Sequence, residues 1–328
     1  MKRFSLFFLA AALLAEVSGV VTNQTTGKPQ QSATVTLYKL GGAGMETVES
    51  VKSGADGRFT IAQTPDGPHL IQTAFDGVTY NHMLPPGSPP TGIDLKVFSS
   101  TKKQPAQAKV ATHMILLEPS DAELTVNESL IYKNDGTLSY NDPDGGTLRF
   151  TVPATAGKVK VMASGPQGMP VERAAEPAGQ PGAFKVDFPI KPGETRFDLT
   201  YTISTPTEFS KKLTTDAAAR VVVPAGVTLI SDDLQLLGQE PQTQASIYET
   251  KKREFAAQIQ GTGSLQAPQG EGGEEEGEGL KQIRPRVYDR FYVILGLSLV
   301  ILVLSFLLLY RRPSPAPAVP AAKDKHKA

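Results

Sequence analysis

Two aspartates in a short turn come closest to metal-binding spacing in this sequence. Asp142 and Asp144 lie in the run NDPDGG, residues 141–146, where carboxylates stand at alternate positions. Calcium prefers oxygen ligands, so these carboxylates could supply part of a calcium site. The run lacks the helix-bounded loop and closing bidentate glutamate of a calcium-binding hand, and Asp with Gly also suits a hairpin turn. We favour the turn, keep Asp142 and Asp144 as the calcium candidate, and predict no other metal or cofactor.

Recognisable catalytic chemistry is missing from the sequence. The chain has no cysteine, which removes thiol nucleophiles, thiolate metal sites and disulfides together. It shows no nucleophile elbow, P-loop, HExxH or dinucleotide-binding glycine pattern in a fitting context. The adjacent acids Asp232 and Asp233 could in principle serve glycoside hydrolysis, but we favour solvated turn carboxylates. We predict no catalytic residues and a protein that is not an enzyme.

Charge balance excludes another class of partner. The 328 residues carry 33 Lys and Arg against 33 Asp and Glu, a formal net charge of zero. A protein that follows nucleic-acid phosphates needs a clustered basic excess. We therefore expect no nucleic-acid partner.

The first residues predict an exported protein. Lys2 and Arg3 precede an uncharged run from Phe4 to Ala15, which fits a secretory signal and is short for a membrane span. We place the signal peptide at 1–15, with an uncleaved anchor as the alternative. An exported chain of this size without cysteine favours a bacterial cell envelope.

A second apolar run predicts the membrane anchor. Phe291 and Tyr310 bound twenty residues without a charge, and a helix of that length covers the hydrocarbon layer of about 30 Å. Arg311 and Arg312 follow directly, as a stop-transfer signal would. The basic residues on the two sides nearly balance, so the signal peptide decides the orientation. We predict a single-pass protein of the cytoplasmic membrane, with its N-terminal bulk periplasmic or extracellular and a disordered cytoplasmic tail at 311–328.

Between these segments the sequence predicts two folded regions and a stalk. Short runs of alternating apolar and polar residues recur with Gly, Asp and Pro turns, a pattern typical of antiparallel β-sandwiches. The first region covers 16–100, with a polar joint from 100 to 105. The second covers 107–265, with about ten strands in one Greek-key sandwich. The Glu- and Gly-rich run 266–290 predicts an extended stalk.

The first region carries a family resemblance. Its segments SGVVTNQTTGKPQQSATVTLY, SGADGRFTI and GPHLIQTAFDGVTY resemble the carboxypeptidase regulatory-like domain, over roughly 16–98. The resemblance implies a seven-stranded transthyretin-like sandwich and a non-catalytic accessory module. In that family the module occurs beside peptidase domains and on many bacterial envelope proteins. The second region resembles no family that we recognise.

The only ligand-binding candidates are three consecutive residues near the end of the first region. Tyr80, Asn81 and His82 lead into the Pro-rich run 84–92 and could line a ligand groove. The alternative, which we favour from the sequence, is a strand end with amphipathic side chains at the surface.

We therefore predict a non-enzymatic, membrane-anchored envelope protein. Its lipid partner is the bilayer around one helix, and its exported sandwiches bind a protein or glycan partner, as an accessory subunit of a membrane complex. The alternative is a carbohydrate-binding or glycan-hydrolysing ectodomain. Exposed coplanar aromatic rings would favour glycan binding, and a cleft with two convergent carboxylates would favour hydrolysis.

Overall fold

The fold is described from a computed structural model covering residues 16–42, 44–63 and 65–265. The predicted signal peptide, stalk, membrane span from Phe291 to Tyr310 and cytoplasmic tail lie outside these described residues. Within them, no helix has the length and apolarity that crossing a bilayer requires.

The described chain is all-β, as the alternating sequence pattern predicts. The first region contains β1 (Val17–Asn23), β2 (Lys28–Pro29), β3 (Thr34–Gly41), β4 (Gly44–Lys52), β5 (Arg58–Ile61), β6 (His69–Phe75), β7 (Val78–Leu84) and β8 (Ile93–Val97). A short strand at the joint, β9 (Ser100–Thr101), follows.

The second region supplies the remaining strands. They are β10 (Ala108–Pro119), β11 (Leu124–Asn134), β12 (Ser139–Tyr140), β13 (Leu148–Thr151), β14 (Lys160–Ser164), β15 (Val171–Arg173), β16 (Glu176–Pro177), β17 (Ala183–Val186), β18 (Gly193–Ile203), β19 (Glu208–Lys212), β20 (Arg220–Val223), β21 (Thr228–Ile230), β22 (Leu234–Gln239), β23 (Ser246–Thr250) and β24 (Glu254–Gln260).

The first region packs two four-stranded sheets around one apolar core. One sheet has the order β4-β3-β6-β7, and the other has β1 at its centre, paired with β2, β5 and β8. The core holds inward side chains of both sheets, among them Val35, Leu37, Ile61 and Ile71, all fully buried. With the two-residue β2 counted there are eight strands rather than seven.

One strand pair in this sandwich departs from the predicted antiparallel arrangement. β8 runs parallel to β1, with Gly19 opposite Ile93. A Cβ atom at Gly19 would lie 2.0 Å from the carbonyl oxygen of Ile93, so only glycine permits this approach. Since β9 with β12 and β10 with β20 are also parallel, the prediction of purely antiparallel sandwiches was wrong in these three places.

The second region is built on one long sheet that covers two separate cores, rather than the single Greek-key sandwich expected. Eight strands run in the order β15-β14-β18-β11-β10-β20-β23-β22. One half of this sheet packs on β19-β24-β21, where Phe209 and Phe255 are buried. The other half packs on β13-β17-β16, where Phe150 and Val186 are buried. Strands β10, β11 and β18 are eleven or twelve residues long and contribute to both cores.

A buried ionic cluster lies where the two cores meet. Glu128 stands on β11 between Val126 of one core and Leu130 of the other, on the same face of the strand. Its Oε2 accepts a hydrogen bond from Lys211 Nζ at 2.6 Å, and its Oε1 accepts one from His113 Nε2 at 2.7 Å. Lys211 Nζ also donates to the carbonyl oxygen of Thr151 at 2.7 Å. The three charged or titratable side chains are at most 2% exposed, so the cluster is closed to water.

A β-bulge brings His113 into this cluster. The pairing of β10 with β11 shifts register between Val110 and Thr112, which leaves Ala111 as an extra residue. Side chains face inward at Ala108 before the bulge and at His113 and Ile115 after it. The extra residue changes which alternate positions of β10 face inward. One strand can therefore contribute side chains to both cores and place His113 against Glu128.

We expect Glu128→Gln to lower the free energy of unfolding by about 3 kcal/mol, because it leaves the Lys211 ammonium buried without a counter-charge. The measurement is chemical denaturation of the full chain, followed by tyrosine emission in this tryptophan-free protein. The matched control is Asp66→Asn, which removes the exposed ion pair with Lys39 and should leave the free energy of unfolding nearly unchanged. Equal losses in the two variants would contradict the structural role of the cluster.

The same variant should also change how the free energy of unfolding depends on pH. Burial raises the pKa of Glu128, but Lys211 and His113 outweigh it and hold that pKa below the ordinary value of 4.5. The unfolded chain therefore binds the proton first as the pH falls below about 4.5, and this part of the stability is lost on acidification. Below about pH 4.5 the free energy of unfolding of Glu128→Gln should therefore fall less steeply with decreasing pH than that of the wild type.

Candidate binding groove between the two folded regions

A groove of about 370 Å³ opens where the first region meets the second, and we call it the junction groove. Its wall from the first region is formed by Thr73, Tyr80, Asn81, His82, Asp94 and Lys96. The facing wall from the second region is formed by Pro166, Gln167, Lys191 and Pro192. The volume falls in the range of ordinary ligand pockets, which is roughly 300–1,000 Å³.

Hydrogen bonds hold the two walls in register. The expected polar joint is partly a strand, since β9 pairs with β12 of the second region at Ser100–Ser139 and Thr101–Tyr140. The hydroxyl of Tyr80 donates to the carbonyl oxygen of Phe98 at 3.0 Å and accepts from Ser139 Oγ at 2.9 Å. Burial raises the pKa of Tyr80, which keeps this donor protonated. The groove is therefore formed by elements that are fixed to each other.

The floor of the groove carries a buried lysine. Lys191 follows the short apolar run that ends at Ile190 and precedes the Pro192-Gly193 turn, which directs its side chain toward β7. Its Nζ donates to the carbonyl oxygen of Thr79 at 2.5 Å and lies 5.4 Å from the centre of the Tyr80 ring. Only 9% of the residue is exposed. No carboxylate within the described residues lies within ion-pair distance of it.

The electrostatics of Lys191 follow from this isolation. Burial lowers its pKa from 10.5 to about 8, because no anion compensates for the lost hydration. The ammonium is still charged at neutral pH, at a cost of roughly 3 kcal/mol when each pKa unit counts about 1.4 kcal/mol. An ammonium has three N–H donors, and a single acceptor is recorded for Lys191 in the described chain. The groove thus presents a positive charge that can take an anionic ligand.

A hydroxyl group of the groove wall makes no hydrogen bond within the described part of the chain. Thr73 is 1% exposed, and its Oγ1 makes no hydrogen bond with the described residues. Thr73 stands opposite Tyr80 in the β6–β7 ladder and lines the same groove. Buried hydroxyls usually have a hydrogen-bond partner, so Thr73 Oγ1 is an exception, but the atom has almost no accessible surface and is closed to a ligand in the groove.

The structure places all three sequence-predicted ligand candidates on the groove, although their roles differ. Tyr80 mainly holds the two walls together through the hydrogen bonds of its hydroxyl group. The side chain of Asn81 accepts a hydrogen bond from Gln72 at 3.2 Å, while His82 lines the groove half-buried. Sequence reasoning missed Lys191, because a lysine before Pro-Gly resembles an ordinary turn residue. Ligand binding by Tyr80, Asn81 and His82 stays a prediction.

Asp142 and Asp144 lie in a turn in which each carboxylate already has a partner. Asp142 Oδ1 accepts the backbone N–H of Gly145 at 2.9 Å. Asp144 Oδ2 pairs with Lys102 Nζ at 2.6 Å, and this hydrogen bond lowers the pKa of Asp144. No group of three potential metal ligands is found in the described part of the chain. The calcium candidate remains a prediction.

Comparison with known proteins bears on the first region alone. The family described as "Carboxypeptidase regulatory-like domain" matches residues 16–97, which confirms the resemblance and its limited span. No curated protein matches the chain.

Similar solved structures include an M1 zinc metallopeptidase from Deinococcus radiodurans, 11% identical, covering 47% of this chain and 42% of that chain at a TM-score of 0.26. A mutant of that enzyme bound to a Tyr-Ser-Ala substrate is 12% identical with the same coverage and TM-score. The chain thus spans less than half of these proteins, and a likeness this weak carries no argument about fold or activity.

Replacing Lys191 by Met should stabilise the protein at pH 7 by about 1–2 kcal/mol. The charge-burial cost disappears, while one hydrogen bond worth about 1 kcal/mol is lost. Because the folded-state pKa is about 8 and the unfolded value 10.5, the wild type recovers this cost as the pH rises between them. Denaturation of both proteins from pH 7 to 10 should show that the difference in their free energies of unfolding decreases as the pH rises. A difference that does not depend on pH would contradict a buried, charged Lys191.

Substituting Asp144 by Ala should leave the free energy of unfolding nearly unchanged, since the pair with Lys102 is exposed. We expect the melting temperature of the wild type to be the same with and without millimolar Ca²⁺. A calcium-dependent rise that Asp144→Ala abolishes would instead establish the turn as a calcium site.

Proposed function

We propose that the protein is a non-enzymatic binding module that holds a partner in the junction groove. In this proposal the predicted helix Phe291–Tyr310 anchors the chain in the cytoplasmic membrane of a bacterial cell, and both folded regions lie on the exported side. The carboxypeptidase regulatory-like family match over 16–97 supports an accessory or binding role rather than a catalytic one.

The observation that carries the proposal is the uncompensated charge of Lys191. Proteins retain costly buried charges chiefly at sites of function, where the cost is recovered when a ligand binds. Here the charge lies in a preformed groove, and its single recorded acceptor in the described chain is the carbonyl oxygen of Thr79. An ammonium with unused N–H donors at a cavity favours binding over a purely structural role.

A protein or peptide partner fits the groove better than a glycan does. The large apolar side chains exposed in the described residues are Met, Val, Ile and Leu, and no Tyr or Phe is among them. Two aromatic side chains, Tyr80 and Phe98, line the groove, but their rings are tilted by 44° to each other and do not form a flat stacking platform for sugar rings. Among the described residues that line the groove, Asp94 is the only one with a carboxylate, and its Oδ1 accepts a hydrogen bond from Thr22 Oγ1, so paired-acid hydrolysis is also disfavoured.

The absence of native cysteine allows a direct test in spheroplasts. Full-length variants with a single cysteine, Gln167→Cys in the groove or Lys160→Cys at the exposed start of β14, are treated with a membrane-impermeant thiol-reactive photo-crosslinker. We expect both thiols to be labelled, with a discrete covalent adduct forming on illumination only from position 167.

The control for topology is Lys325→Cys in the predicted cytoplasmic tail, which should be labelled only after lysis. Labelling of position 325 but not position 160 in intact spheroplasts would contradict export of the sandwiches. Equal adducts from positions 160 and 167 would contradict binding in the groove.

A further inference from the structure

The groove is bordered by an unpaired strand edge. β7 is the last strand in the order β4-β3-β6-β7, and no described strand pairs with its outer side. The hairpin that leads into it turns at Asp76 and Gly77, with φ of 49° and 74°, so the flanking pair Phe75–Val78 exchanges the first ladder hydrogen bonds. The pairs alternate from there, which leaves the backbone groups of Thr79, Asn81 and Met83 pointing outward.

The contacts of the second region agree with this assignment and show where the edge is open. Lys191 caps the outward carbonyl of Thr79, and Asn141 Nδ2 caps that of Gly77 at 3.3 Å. Two residues further along, Asn81 lines the groove and Met83 is 50% exposed. The open part of the edge therefore begins beside the Lys191 ammonium.

Other sheet edges carry features that prevent pairing, and β7 lacks them. The opposite edge, β4, carries Glu46, Glu49 and Lys52. β15 has three residues including Glu172 and Arg173, and β22 is interrupted by a bulge between Leu236 and Gly238. Charges, short length and bulges are the usual protections of an edge strand. β7 is seven residues long with no acidic, Lys or Arg side chain, and its ladder with β6 has no register shift.

We propose that the junction groove binds an extended peptide segment that pairs with the outer edge of β7 and places a carboxylate on Lys191. This rests on the proposed binding function and specifies its ligand. The backbone groups of Asn81 and Met83 bond the added strand, as in strand addition to other open sheet edges. The carboxylate, from a chain terminus or an acidic side chain, supplies the missing counter-charge and accepts the unused N–H donors of Lys191.

The test titrates the full-length protein in detergent with four acetylated hexapeptides and follows binding by saturation-transfer NMR. Alternating Thr-Val peptides end in a free carboxylate or in a carboxamide, and a third, amidated peptide carries one internal Asp. The fourth is the amidated peptide with Asn in place of that Asp. We expect the better of the two acidic peptides to bind at least tenfold more tightly than its neutral counterpart, and the identity of that peptide distinguishes a terminal from a side-chain carboxylate.

Two variants and one control connect the binding to the structure. Lys191→Met should abolish the tenfold preference for acid. Met83→Pro removes an outward N–H without removing a bond to β6, and should weaken every peptide at least tenfold while the melting temperature stays near that of the wild type. Lys160→Met, a charge change at the exposed first residue of β14, should leave all affinities unchanged.

The outcomes separate this proposal from the broader one. Acid-selective binding that Met83→Pro does not affect would overturn strand addition, and binding of a neutral oligosaccharide but of no peptide would overturn the peptide ligand while leaving a binding groove. A further variant replaces all five Glu of residues 271–278 by Gln. If this variant binds the peptides more tightly, the chain's own acidic run occupies the site, and the proposal of a separate partner is overturned. If no probe perturbs the groove and position 167 gives no adduct, both proposals fail.

Discussion

The cost of burying charge is the constraint on which this structure depends, and the chain meets it in opposite ways at two lysines. Lys211 is buried against Glu128, which His113 also contacts, so that both oxygens of the carboxylate are occupied. Lys191 is 9% exposed and has a carbonyl oxygen as its only recorded acceptor in the described chain. The first lysine is compensated within the fold and belongs to its architecture. The second leaves a positive charge beside a cavity, which is the state expected of a site that awaits its ligand.

The architecture explains why that cavity is preformed. Strand β10 begins beside the joint between the regions and runs through both cores of the second region, so that the joint is continuous with the longest sheet. The pairing of β9 with β12 and the Tyr80 hydroxyl then fix the first sandwich against this sheet. A ligand that binds between fixed walls loses less free energy to ordering of the protein than one that must close a flexible joint.

The sequence predicted the all-β class because side-chain alternation is local, as in β18, where Phe197, Leu199, Tyr201 and Ile203 share a buried face. It did not predict β19, because the inward positions of that short strand are Phe209 and a buried lysine, which breaks the apolar pattern. The two-core arrangement was missed for a similar reason. The bulge at Ala111 changes which residues face inward, and a register shift of one residue leaves no mark on composition.

The residues of the candidate groove could likewise be predicted only in part from the sequence. Tyr80, Asn81 and His82 could be proposed because consecutive amphipathic residues at a strand end suggest a surface with contacts to make. Lys191 lies about 110 residues further along the chain, and only the packing of the second region on β7 brings it to the same cavity. A single sequence contains no signal for such a long-range contact.

The charge of Lys191 is not required by the contact it makes within the fold. The outward carbonyl of Gly77, in the turn just before β7, accepts a hydrogen bond from the neutral amide of Asn141, and the joint is made there without burying an ion. A neutral donor could bond Thr79 in the same way at a smaller desolvation cost. A neutral amide would not, however, place a positive charge with unused N–H donors at the start of the open edge of β7. Under the proposed function, a ligand in the groove supplies the counter-charge that Lys191 lacks, and the free edge of β7 is the reason for proposing an extended chain with an acidic group.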